Sequence, residues 1–229
     1  MTNPPTVDEA LASRRSIRQF LPDEVDRKTI EEILAVASRA ASGTNTQPWR
    51  VYVLRGQSRA ELTRRILAVY HDPELLSGHT EAYRYYPSQW RSPFIERRRK
   101  IGWDLYGLLG IGKGDKTRMH AQHARNYNFF DAPIGLMFTV DKHLETGSFL
   151  DYGMFLQSIM VAARGRGLDT CPQAAFIRFH RIVLDHVGAS EDERLVCGMA
   201  LGYADPDALV NQLATEREPV GNFTSFLGF

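Results

Sequence analysis

The chain has 229 residues and is 43% hydrophobic, enough to bury one sizeable core. Its 28 Lys and Arg against 27 Asp and Glu leave no global field to draw it to nucleic acid or an acidic membrane surface, so any cationic site is local. No window approaches the ~18 uninterrupted apolar residues of a membrane span, and MTNPPTVDEALASRR lacks a signal-peptide core, which predicts a cytoplasmic protein.

Thr6 and Glu9 form a capping box in TVDEALASR and predict a short helix running into Arg14. In the RRSIRQF stretch that follows, Arg14, Arg15 and Arg18 offer guanidinium forks and Ser16 a hydroxyl, a donor set suited to phosphate oxygens or else a bare surface cluster. DRKTIEEILAVASRAAS repeats Ile30, Ile33, Leu34 and Ala37 at helical spacing and closes at Ser42-Gly43. In SGTNTQPW, Ser42, Asn45 and Gln47 suit a polar chain or an amide-edged heterocycle, and equally a capped helix end with an Asn turn. WRVYVLR reads as a strand, followed by a helix capped by Ser58 and Glu61 with Leu62, Ile66 and Val69 along one face.

Residues 71–118, dense in Tyr, Trp, Pro and Arg, read as an insertion in a single domain spanning 1–229, ending in an amphipathic helix with Ile101, Leu105 and Leu108 on one face. Its aromatics Tyr83, Tyr85, Trp90, Phe94 and Trp103 either line a pocket or pack the insertion itself. ERRRK predicts a solvated lid. GLLGIGKG has phosphate-loop spacing but ends in Gly114 instead of Ser or Thr and follows a helical pattern, which favours a flexible helix exit. A helix from Asp115 towards Phe130 carries His120 and His123, without a third ligand and so read as a solvated face.

PIGLMFTVD is a strand buried on both faces, Ser148 to Gly167 a central helix apolar almost all round, and RLVCGMALGY another apolar strand. Interspersed helices and strands without a strict βαβ rhythm favour α+β. Cys171 and Cys197 read as buried, reduced thiols. Phe223, Phe226, Leu227 and Phe229 at the chain end should dock either on their own domain or on a second subunit.

RRSIR, SGTNTQPW, GLDTCPQAAF and the near-terminal EREP, in this order, resemble the nitroreductase family of flavin-dependent oxidoreductases over nearly the whole chain outside residues 71–118, and the insertion is similar to that of the nitrobenzoate-reducing subgroup. The resemblance implies a mainly antiparallel central sheet flanked by helices and an intertwined homodimer with one flavin mononucleotide (FMN) per subunit at the interface. It implies that Arg14, Arg15, Ser16 and Arg217 hold the phosphate and ribityl chain. Arg18 would lie at the N1 and O2 edge of the ring, where a fixed cation favours two-electron reduction. Ser42, Asn45 and Gln47 would contact flavin, in part the partner's. Pro172, Gln173 and Ala174 would lie against the ring, with the Ala175 amide aimed at N5 and Asn128 at the polar edge. Many relatives carry Glu and Gly where this chain has Ala174 and Ala175. The implied reaction is a ping-pong transfer of hydride from NADH or NADPH to a small nitroaromatic acceptor, with no obligatory acid, base, nucleophile or metal from the protein. Reduction of activated alkenes or halogenated aromatics, flavin binding without turnover, and a nucleic-acid module using Arg97 to Lys100 are the competing readings.

Overall fold

A computed structural model describes residues 5–229. Helix α1 (Val7–Ser13) starts as the sequence predicts, with Thr6 Oγ1 accepting from the Glu9 N–H and the Glu9 carboxylate accepting from the Thr6 N–H. Helix α2 (Arg27–Ala37), capped by Asp26, ends at Ala37 rather than Ser42, because Ser38 Oγ turns back to the Ala35 carbonyl and the Ala40 N–H folds onto Ala37. Strand β1 (Arg50–Arg55) runs directly into α3 (Gly56–Tyr70), so the expected Ser58–Glu61 cap does not form: Ser58 pairs with His186 and Glu61 with Arg64. Helices α4 (Pro73–Ser77) and α5 (Phe94–Leu108) lie within residues 71–118. Helix α6 (Lys116–Ala124) stops short of Phe130, giving way to a 3-10 stretch in which Phe129, Phe130 and Asp131 have positive φ. Burial of both phenylalanine rings offsets that strain.

Strand β2 (Ile134–Asp141), α7 (Gly147–Arg164), β3 (Asp169–Gln173), α8 (His180–Val187) and β4 (Glu193–Gly202) complete the fold. The sheet order is β1-β2-β4-β3, antiparallel throughout, in an α+β arrangement. Strand β3 escapes sequence reading because Pro172 argues against a strand; the chain tolerates it at the sheet edge. On β2, Leu136 and Phe138 face a layer made by α2 and α7, and Met137 faces the opposite layer with Phe129 and Phe176.

Gly198 on β4 supports the 3-10 turn Ala174–Phe179, since a Cβ there would lie 2.5 Å from the Phe176 ring. Gly198→Ala is expected to cost about 1–3 kcal/mol by overpacking and to displace that turn, read by denaturant unfolding.

The central helix departs from the expectation of burial all round. Leu150 of α7 is 72% exposed and Met154 is exposed beside it. The terminal Phe223, Phe226, Leu227 and Phe229 are also exposed, so they do not pack back onto their own core. Among the described residues, no helix is long and apolar enough to cross a membrane.

Candidate active site

The RRSIRQF stretch is sewn onto the sheet edge by its backbone. Ser16 pairs with Thr170 of β3, the Ile17 N–H donates to the Thr170 carbonyl, and the Phe20 N–H donates to Phe130. Ile17 and Phe20 point into the core. The Arg18 N–H donates to Asn211 Oδ1 at 2.8 Å, and Asn211 Nδ2 donates to the carbonyls of Gln19 and Asp205. Asn211 is a positioning residue that sequence reasoning missed, because its contact spans 193 positions and has no local signal. The neighbouring Asp169 carboxylate pairs with Arg164 rather than Arg15. Arg14, Arg15 and Arg18 thus have no ion-pair partner among the described residues.

Arg18 opens into a cleft of about 410 Å³ floored by Cys171, Pro172, Gln173, Ala174 and Ala175. Gln173 is 2% exposed; its Nε2 donates to the Asn126 carbonyl at 2.7 Å, while its Oε1 has no donor among the described residues. A buried acceptor left so costs about 1–3 kcal/mol, which suits the cleft to a ligand that presents an N–H. Burial pushes the Cys171 thiol up to about 11, against smaller opposing effects of Arg18, Ser16 and Arg14, and pushes the Cys197 thiol up to about 12. Both are free and buried, as the sequence predicts.

The far wall of the cleft comes from residues 71–118 and α6. Tyr85 and Tyr86 line it, with His123 and Arg178 beside them. Of the other expected aromatics, Tyr83 instead anchors the insertion by donating to the Val196 carbonyl at 2.6 Å. Trp90 carries the Arg98 guanidinium, Phe94 carries Arg97, and Trp103 lines a separate groove. His120 and His123 are exposed, as the sequence predicts, and both touch Tyr70: His120 stacks on its ring and His123 Nδ1 lies 3.1 Å from its hydroxyl. Desolvation by the surrounding aromatic rings, helped by His120 and Arg178, lowers the His123 pKa. No group of metal-ligating residues occurs among the described residues. ERRRK is exposed throughout, as the sequence predicts, with Arg97 pairing with Glu218 and Lys100 with Asp104 at the surface.

Three expected elements lie elsewhere. Asn128 turns its Nδ2 to Asp131, and Asn126 takes the place at the cleft. Ser42, Asn45 and Gln47 sit at the α7 end of the fold, where the Gly43 N–H donates to Asp151 and Gln47 borders a different cleft with Trp49, Arg50 and Glu193. Thr44, Asn45 and Gln47 have positive φ, a strained loop of the kind that persists where surroundings over-determine it. Arg217 donates to Thr215 in a third cleft against α5.

The Nitroreductase family profile matches residues 11–203. A 4-nitrobenzoate reductase of Pseudomonas putida is 41% identical over 97% of this chain and 96% of its own length. A chloronitrobenzene nitroreductase of Comamonas testosteroni is 39% identical over 99% of both chains. The crystal structure of the FMN and NADPH-dependent nitroreductase NfnB from Sphigopyxis sp. strain HMH superposes with a TM-score of 0.94 at 33% identity, covering 98% of this chain and 100% of that one.

Proposed function

The chain belongs to the nitroreductase family, and from that premise we propose how its residues serve the reaction. It is an FMN-dependent oxidoreductase that reduces nitroaromatic acceptors with NAD(P)H. The observation that carries the site assignment is that Arg18 and the donor-less Gln173 Oε1 line one cleft at the sheet edge where Ser16 pairs with Thr170, with Arg14 and Arg15 adjacent in sequence and without ion-pair partners among the described residues. In FMN, the isoalloxazine ring would supply the N–H that Gln173 lacks, and the ribityl phosphate would supply the anion that the arginines lack.

When bound, the flavin supplies hydride chemistry, taking hydride from the nicotinamide and giving it to the acceptor. The protein's residues bind and orient. Arg14, Arg15 and Ser16 hold the phosphate and ribityl chain. Arg18, its backbone fixed by Asn211, places a cation at the pyrimidine edge. Pro172, Gln173 and Ala174 would back the ring, and the Ala175 N–H would be the donor offered to N5. Tyr85 and Tyr86 form the aromatic wall against which a planar acceptor stacks.

The site is completed by a second copy. The exposed α7 face and the separation of Ser42, Asn45 and Gln47 from the cleft support a homodimer in which each chain lends this loop, and Arg217 from its tail, to the other's FMN. We read residues 71–118 as an insertion in one domain, and place the enzyme in the cytoplasm, where buried thiols stay reduced. The two relatives' acceptors differ by a carboxylate, so homology leaves that choice to the residues of the cleft.

Because nicotinamide and acceptor share the space under Tyr85 and Tyr86, they bind in turn. Initial rates with NADPH and a nitroaromatic, each varied at several fixed levels of the other, should give parallel double-reciprocal lines. Intersecting lines would contradict sequential use of one cleft.

A further inference from the structure

Arg178 is a charged side chain that the reaction described above does not use. It lies on the 3-10 turn Ala174–Phe179, three positions after Ala175. Side chains at this spacing eclipse on a 3-10 turn, separated by about 6 Å along its axis. Arg178 therefore shares the cleft-lining face with Ala175. A benzene ring with a group at each end has about that reach.

The guanidinium is held from behind. Nε donates to the His79 carbonyl and Nη2 to the Leu76 carbonyl, both at 3.3 Å. Nη1 has neither a hydrogen bond nor a carboxylate partner among the described residues. The surrounding charges leave this end of the cleft cationic. The pKa of His123 beside it is lowered, and Arg18 lines the same cleft. Glu81, the one carboxylate that lines the cleft, is exposed at its mouth, where water screens it.

We propose that Arg178 sets acceptor specificity by pairing with a carboxylate on the aromatic ring, so that the preferred substrates are nitroaryl carboxylates with the carboxyl opposite the nitro group. The inference rests on the nitroreductase reading for its choice of acceptor. A fixed fork with a free edge is what a carboxylate binds best, and the loss of hydration is small because two donors are already committed. A neutral nitroarene gains nothing from this charge.

The test uses the FMN-loaded enzyme and compares kcat/KM for 4-nitrobenzoate with that for 4-nitrobenzamide, a neutral analogue of nearly the same size and shape. The wild type should favour the carboxylate by about tenfold to a hundredfold, the range of one charge-assisted pair, and Arg178→Gln should bring the ratio near unity. Arg178→Lys should recover part of it. A loosened Leu76–His79 segment would slow both substrates alike and leave the ratio unchanged, so the ratio separates recognition from damage. Benzoate, which cannot be reduced, provides a second readout: titrated into the oxidised enzyme, it should bind the wild type and lose about tenfold or more in Arg178→Gln. An unchanged ratio together with unchanged benzoate affinity would overturn the proposal. If the wild type reduced no nitroarene, the nitroreductase reading would fall, while the benzoate titration would still decide the role of Arg178.

Discussion

Replacing Leu150 and Met154 together by glutamate is expected to give a monomer that no longer keeps its FMN. The two side chains lie on the outer face of α7 with Gln157 and Val161, at the i, i+4, i+7 and i+11 spacing of one helical stripe. Leu150 is 72% exposed on a helix whose inner face, with Tyr152, Phe155 and Ile159, is fully buried. Val36 of α2, a helix that packs against α7, is 51% exposed as well. Each such side chain gains roughly 1.5–3 kcal/mol when a second copy covers it, and carboxylates placed there repel their own images across a two-fold contact. Loss of FMN follows from geometry, since Ser42, Asn45 and Gln47 reach a flavin only from the partner in the proposed dimer. Light scattering gives the mass, and the ratio of flavin to protein absorbance gives occupancy. A double variant that stays dimeric and yellow would refute the placement of the interface on α7.

The second large effect is expected at Glu193, which is 5% exposed at the start of β4. Its carboxylate accepts from the Tyr52 hydroxyl at 2.9 Å, from Arg50 Nη1 at 3.0 Å, from the Ser190 N–H at 3.0 Å and from the Thr139 hydroxyl. Burial raises its pKa, but these donors and the Arg50 charge outweigh burial and hold the carboxyl below the ordinary glutamate range. Glu193→Leu should cost about 2–4 kcal/mol, below the range for a fully buried ion pair because the Arg50 side chain is 65% exposed. The folded-state pKa is the lower one. The stabilisation is therefore complete above the unfolded value of about 4.3 and lost as pH falls through the folded value. Urea unfolding of wild type and Glu193→Leu at neutral pH and again near pH 3 should show the gap closing with acid. A gap independent of pH would mean that packing, not the ionised carboxylate, carries the effect. The same network fixes the start of β1, and Tyr152 joins it by bonding both Arg50 and Thr139. Loss of Glu193 should thus loosen the strained Thr44–Gln47 loop that precedes the strand.

The sequence made local features legible. The Thr6–Glu9 box, the apolar runs of β2 and β4, and the arginines after α1 each announce themselves within a few residues, and each occurs in the structure. What it hid depends on contacts between distant parts. Strand β3 exists because β4 offers it an edge, and Asn211 matters because it meets Arg18 across nearly the full chain. Helix α7 reads as buried all round because composition cannot distinguish a face covered by its own domain from one left for a partner. The same blindness applies to the aromatics of residues 71–118. Of the aromatics that could line a pocket or pack the insertion, Tyr85 lines the cleft, together with its neighbour Tyr86, whereas Tyr83 serves as an anchor. Asn128 and Asn126 are two residues apart, and the kinked 3-10 stretch from Arg125 to Asp131 decides which of them reaches the cleft.

In the proposed site, RRSIRQF and the Pro172–Ala175 segment hold a flavin that is reduced by a nicotinamide and reoxidised by a nitroaromatic. This assignment is tested most directly by the visible absorbance of the purified protein under anaerobic conditions. The protein should be yellow, bleach on addition of NADPH and regain its colour on addition of 4-nitrobenzoate. A protein that is colourless and takes up no added FMN, or one that binds FMN but does not bleach with NADPH or NADH, would contradict the assignment.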